Sequence, residues 1–159
     1  MNWWKQFKAK SCSIKLKGAD KGEVLLSAVQ QLLKSGALDE SLAARADKAL
    51  AERELLASTG VGMNVAIPHV KIAGLTQSIC SLMVLDQPVE WAAIDGEPVT
   101  TLFVILRPDR AGDDYDPEAH LEMMRWIAKL SRHPDFRRFA ESAKTKSDLV
   151  SLLKEMSAV

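Results

Sequence analysis

Two apolar runs limit the topology of this chain more than any other feature. "SICSLMVL", Ser78 to Leu85, and "VTTLFVIL", residues 99–106, have the composition of strands buried within a sheet. About 12 residues separate them, too short a connection for a helical crossover between parallel neighbours. That connection also holds turn chemistry at Asp95-Gly96. The two runs are therefore expected to pair antiparallel, or to sit in a mixed sheet. A shorter strand is expected from Ser13 to Lys17, where Ile14 and Leu16 alternate with polar residues.

The remaining apolar residues recur at helical spacing. Asp20 and Glu23 form a variant of the capping box ahead of a stripe of Val24, Ala28, Val29, Leu32 and Leu33, and Gly36 ends it. A second helix is expected from about Glu40 to Ala57, carrying Arg53 and Glu54 near its end. Asp116 caps a third, with Pro117 at its first position and His120, Leu121, Met124, Ile127 and Leu130 along it. Pro134 stops that helix, "DFRRFAES" reads as a short helical piece, and Thr145 with Asp148 caps a last helix bearing Leu149, Leu152 and Leu153. The expected architecture is α/β: a single-domain sandwich with a mixed β-sheet flanked by α-helices.

Composition narrows the function classes. A chain of 159 residues that is 47% hydrophobic can bury a core. Lys plus Arg equals Asp plus Glu at 21 each, so the basic excess of a nucleic-acid binder is missing. Cys12 and Cys80 form neither a disulfide framework nor a C-x-x-C pair, which fits a reducing, cytoplasmic setting. No apolar run reaches the ~18 residues of a membrane span, and the N-terminus lacks the apolar segment of a secretory signal. Residues 1–11 are an aromatic and basic extension. Trp3, Trp4 and Phe7 can share one face there, and packing on the domain is expected in preference to a membrane or partner anchor.

The chemistry concentrates in "STGVGMNVAIPHVK", residues 58–71. Gly60, Gly62 and Asn64 tolerate backbone conformations costly for other residues. Such a loop can turn several N–H groups toward one point and bind an anion, with Ser58 and Thr59 adding hydroxyl donors. Pro68 stiffens the stem that displays His69. An imidazole beside such donors suits phosphoryl transfer. On the residues alone, a structural, hydrogen-bonded histidine remains open.

"RELLASTGVGMNVAIPH", residues 53–69, closely resembles the signature of enzyme IIA domains of the phosphoenolpyruvate-dependent sugar phosphotransferase system. The match is to the fructose/mannitol class, which includes nitrogen-regulatory enzyme IIA proteins. It continues through "PVEWAAIDGEPVTTLFVIL" and "HLEMMRWIAKL", and residues 12–159 are expected to form the IIA type-2-like domain. The resemblance implies that His69 accepts a phosphoryl group from a histidine phosphocarrier protein. It places His120 on the family's second active-site histidine and Arg53 on its active-site arginine. It further implies onward transfer to an enzyme IIB partner, and it requires no metal and no cofactor. Two positions depart from the pattern: Asn64 stands where the family often has Gly, and Val70 where Gly usually follows the histidine. Val70 is expected to alter a partner's approach more than phosphorylation itself.

Three further readings attach to other residues. His133 is expected at a helix C-terminus, and the acidic "DDYD", 113–116, to be a solvated loop ending in a cap. Met123, Met124 and Trp126 have core spacing. For function, a phosphoryl carrier in a regulatory, nitrogen-type role is expected. The alternatives are a soluble IIA subunit of a sugar transporter and a binding module that acts without phosphorylation. A metal hydrolase built from His69, His120 and the acidic loop is disfavoured.

Overall fold

The structure is a computed structural model and describes residues 2–112 and 115–158. Six strands form one mixed sheet: β1 (Ser13–Leu16), β2 (Gly60–Gly62), β3 (Val65–Ala66), β4 (His69–Ile72), β5 (Ile79–Val89) and β6 (Val99–Pro108). Five α-helices cover it: α1 (Lys21–Lys34), α2 (Ala43–Leu56), α3 (Pro117–Ser131), α4 (Pro134–Ser142) and α5 (Lys146–Glu155). The expected central pair is antiparallel, with Leu82 opposite Phe103 and Met83 opposite Leu102.

Strand β6 organises the sheet. The order runs β1-β5-β6-β3-β2, and β4 also pairs with β6. On the edge of β6 away from β5, β3 and β4 follow one another in parallel register: Val65 opposite Thr101, Ala66 opposite Leu102, His69 opposite Ile105. The break between β3 and β4 falls at Ile67-Pro68, where a proline cannot donate to the ladder.

Because side chains alternate along each strand, the sheet divides the core in two. Val70, Ile72, Met83, Leu102, Val104 and Leu106 face α1 and α2. Val65, Ile67, Cys80, Leu82, Phe103 and Ile105 face α3, α4 and α5. Phe7 belongs to the second layer: it is 1% exposed, with its ring edge-on to Phe103 and Trp126 at 6.0 and 6.1 Å between centroids. Trp3 and Trp4 pack partly buried on the same layer, through two 3₁₀ turns at Trp3–Gln6 and Ala9–Ser11. The N-terminal aromatics thus cover the domain.

The helix caps follow the sequence signals. Asp20 accepts from the Glu23 N–H, and Thr145 with Asp148 closes a full capping box. Asp116 accepts from the Glu118 N–H with Pro117 in the first turn. Two boundaries differ from expectation, and one residue has a second role. The second helix opens as a 3₁₀ turn at Glu40–Leu42 before α2 begins at Ala43. Strand β6 runs on to Pro108, which carries Arg107 into the sheet. His133 follows the C-terminus of α3 as expected, its N–H donating to the Leu130 carbonyl at 3.0 Å, and it also caps the next helix, its Nδ1 accepting from the Asp135 N–H at 3.3 Å.

Candidate active site

His69 opens β4 and is half-buried. Its backbone is held on both sides: the Ile105 N–H donates to the Pro68 carbonyl at 2.9 Å, and the Ile67 N–H to the Thr59 carbonyl at 3.0 Å. The ring is held too, with Nδ1 3.2 Å from the Ile67 carbonyl. A carbonyl only accepts, so this contact requires the proton on Nδ1 and leaves the lone pair on Nε2. Being paired with Ile105, the His69 side chain lies on the sheet face covered by α3. Val70 points the other way, 8% exposed, into the core beneath α1 and α2. Its branched side chain therefore does not stand in a partner's path, contrary to expectation.

His120 lies in the first turn of α3, its N–H bonded to the Asp116 carbonyl at 3.0 Å. Burial pushes its pKa down to about 4, helped by the charges of Arg107 and His69. The three side chains therefore share one electrostatic cluster, and His120 is neutral at neutral pH. Its buried Nδ1 has no hydrogen-bond partner among the described residues.

Arg53 sits at the end of α2, where Nη1 donates to the Ala57 carbonyl at 2.6 Å. That bond suits a cation at the negative end of a helix. Gly60 pairs with Ala66 and the Ile67 N–H donates to the Thr59 carbonyl, so the segment that follows Arg53 runs antiparallel to the one that leads to His69.

The Gly-rich turn behaves differently from the anion-binding concavity that its composition suggests. The Thr59 N–H and hydroxyl both donate to Glu54, at 2.9 and 2.5 Å, and Thr59 Oγ1 accepts from Trp91 Nε1 at 3.1 Å. Ser58 Oγ donates to the Trp91 carbonyl at 2.7 Å and accepts from the Gly60 N–H at 3.1 Å. The turn itself passes through positive φ at Gly62, Met63 and Asn64. There the Met63 N–H goes to Asp95 at 2.8 Å, and Asn64 Nδ2 to the Pro98 carbonyl at 2.8 Å. The N–H groups of Thr59, Gly60 and Met63 are thus engaged inside the loop. Gly60 is needed for close approach, because a Cβ there would come within 2.8 Å of the Ala93 Cβ. Ser58, Thr59, Gly60, Gly62 and Asn64 act as a brace that locks the segment leading to His69.

Two parts of this arrangement escaped the sequence reading. Glu54 is buried at the centre of the brace, and Lys21 Nζ reaches it at 3.3 Å. The signal was its adjacency to Arg53 at the end of an otherwise Ala- and Leu-rich helix. Arg107 falls just past the expected strand 99–106, at the start of a stretch, "RPDRAGDDYDP", dense in turn residues. Its phase with Phe103 and Ile105 was the available clue. Of the acidic stretch, Asp113 and Asp114 lie outside the described residues. Among the described residues no group of three or more His, Cys, Asp or Glu side chains is placed to hold a metal ion, and no helix is long and apolar enough to cross a membrane.

Known proteins resemble this chain in sequence and fold. The family described as "Phosphoenolpyruvate-dependent sugar phosphotransferase system, EIIA 2" matches residues 5–156. The nitrogen regulatory protein of Pseudomonas aeruginosa is 39% identical over 107 residues, spanning 67% of this chain and 66% of that relative. The nitrogen regulatory protein of Bradyrhizobium diazoefficiens is 32% identical over 141 residues, 82% of this chain and 89% of the relative. The crystal structure of nitrogen regulatory protein IIA-Ntr from Neisseria meningitidis superposes with a TM-score of 0.77 at 25% identity, covering 94% of this chain and 97% of that one. The chain therefore belongs to the EIIA type 2 family of the phosphoenolpyruvate-dependent sugar phosphotransferase system, a family of phosphoryl-carrying phosphotransferase domains.

Proposed function

We propose that this protein carries a phosphoryl group on Nε2 of His69, taken from a histidine phosphocarrier protein, and that it does so in a nitrogen-type regulatory role. The observation that carries the reading is the bond of His69 Nδ1 to the Ile67 carbonyl. It holds the tautomer in which Nε2 is the nucleophile and aims that nitrogen away from its own backbone. In the transfer, the phosphorus–nitrogen bond on the carrier's imidazole breaks and its electron pair returns to that ring. A new bond forms from His69 Nε2 to phosphorus.

The transition state spreads negative charge over the phosphoryl oxygens, so fixed donors and cations supply most of the acceleration. Arg53, fastened at Ala57, serves as one such cation. Neutral His120 donates one hydrogen bond and carries no phosphoryl group. The brace of residues 58–64 keeps Pro68 and His69 in line with β6. Onward transfer goes to an enzyme IIB, or the phosphorylated state is read by a regulated target, with the cytoplasm as the working compartment. The regulatory reading draws its support from the two relatives named nitrogen regulatory protein.

The test combines phosphoenolpyruvate, the first enzyme of the system and its phosphocarrier with the purified protein. Acid-labile, base-stable phosphate should appear on the wild type. A wild type that never labels beside an active carrier from its own organism would favour a binding module that works without phosphorylation. Rapid passage of the label to an enzyme IIB would favour the sugar-transport reading over regulation.

A further inference from the structure

We propose that Arg107, steadied by Tyr115, is a second phosphate-binding cation of this site, in addition to Arg53. The inference rests on the reading that His69 carries the phosphoryl group.

Register places Arg107 there. In β6 it lies two residues beyond Ile105, the partner of His69, and directly opposite Lys71 of β4. Alternation puts His69, Lys71, Ile105 and Arg107 on one sheet face, the face covered by α3. A diagonal neighbour of this kind lies about 7–8 Å away, within reach of a long side chain.

The surroundings then pose a physical problem. Arg107 is half-buried and faces Lys71 across the ladder, a cation beside a cation. Among the described residues it has no carboxylate within 4.0 Å, while four other ion pairs are formed. Among the described residues its one hydrogen bond runs from Nη1 to the Tyr115 hydroxyl at 2.6 Å, and its buried Nε meets no acceptor. A structural arginine normally finds a carboxylate or several carbonyls to offset its desolvation. Among the described residues this one is held by Tyr115 and left short of an acceptor.

Tyr115 links it to the second histidine. The Tyr115 ring stands 5.8 Å from the His120 ring and 6.0 Å from the Arg107 guanidinium. A phosphoryl group on His69 would bring the missing acceptors, since a guanidinium fork matches two phosphate oxygens. Work then divides in the cluster. Arg107 supplies a cation, and His120 a neutral donor. Tyr115 is a positioning residue that holds the fork without touching phosphate.

The experiment is single-turnover transfer from the phosphorylated carrier, with the phosphorus NMR shift of the product recorded beside it. Arg107→Gln should lower the maximal transfer rate roughly 10- to 100-fold, the worth of a charge-assisted hydrogen bond made mainly in the transition state. The phosphohistidine resonance should move as well. Arg107→Lys, which keeps charge but loses the fork, should fall between Gln and wild type. Tyr115→Phe should cost a few-fold. A clip that only held the 109–116 loop would leave the phosphorus shift of folded Arg107→Gln unchanged. Wild-type rate and shift in Arg107→Gln would overturn the inference while leaving His69 as carrier. If the Gln variant does not fold, a Lys variant within twofold of wild type and with its phosphorus shift overturns it equally. A wild type that takes up no phosphoryl group overturns both.

Discussion

Removing the Glu54 carboxylate should loosen the segment that aims His69, and the structure allows its cost to be worked out. Glu54 accepts three hydrogen bonds in a buried setting: from the Thr59 N–H, the Thr59 hydroxyl and Lys21 Nζ. In Glu54→Ala the Thr59 N–H, in a residue only 4% exposed, has no alternative acceptor. An orphaned buried amide costs about 1–3 kcal/mol, and breaking a buried ion pair about 3–5 kcal/mol in total. Lys21 softens the second figure, because its side chain is 32% exposed and keeps the Trp91 carbonyl at 3.2 Å. A loss of about 3 kcal/mol is therefore expected.

Glu54→Gln should behave differently. An amide oxygen in the Oε2 position keeps the Thr59 N–H and Lys21, while its NH₂ can donate to Thr59 Oγ1 once that hydroxyl rotates. The charge and the acceptor of the Thr59 hydroxyl proton are lost, for about 1–2 kcal/mol. Urea unfolding measures both, as midpoint shifts at constant slope. Equal losses in the two variants, or less than about 1 kcal/mol for Ala, would refute the reasoning that unsatisfied donors at Thr59 dominate.

Three other outcomes are expected. Phe7→Ala should cost about 3–5 kcal/mol in the same assay, because the ring fills the layer between Phe103 and Trp126; a loss near zero would make the N-terminal turns dispensable. Arg53→Gln should fold normally yet slow phosphoryl transfer, since it removes a phosphate partner that matters most as charge develops; stopped-flow rates equal to wild type would remove Arg53 from the site. His120 takes up its proton near pH 6.5 when unfolded but only near pH 4 when folded. Between those values the unfolded state holds more protons, so this contribution is intact above about pH 6.5 and is lost as pH falls through the window. It should be about 1–2 kcal/mol after solvent screening, read as a shallower pH slope in His120→Gln; identical slopes would show that His120 is not depressed.

The sequence was most legible where physics is local. Capping residues marked the starts of α1, α3 and α5, and the short connection between the two apolar runs dictated their antiparallel pairing. It was least legible where long-range partners decide. The loop at 58–64 has the glycines of an anion cradle, but Glu54, Asp95 and the Trp91 carbonyl, all distant in sequence or on another element, take up its donors. No local pattern announces that competition. Arg107 was hidden for a related reason. Turn-rich residues follow it at once, yet pairing with β4 extends the strand through it. Val70 shows the reverse case: strand alternation from His69 already implied that it faces inward.

The most direct test of the account is to map the phosphoryl group by mass spectrometry after exposure to the phosphorylated carrier, across wild type, His69→Ala and His120→Ala. The wild type should carry one phosphoryl group, on His69. His69→Ala should carry none, and His120→Ala should label slowly but at His69, because the bond from Nδ1 to the Ile67 carbonyl leaves the nucleophile in place. Label that persists in His69→Ala and disappears in His120→Ala would contradict the assignment of the two histidines.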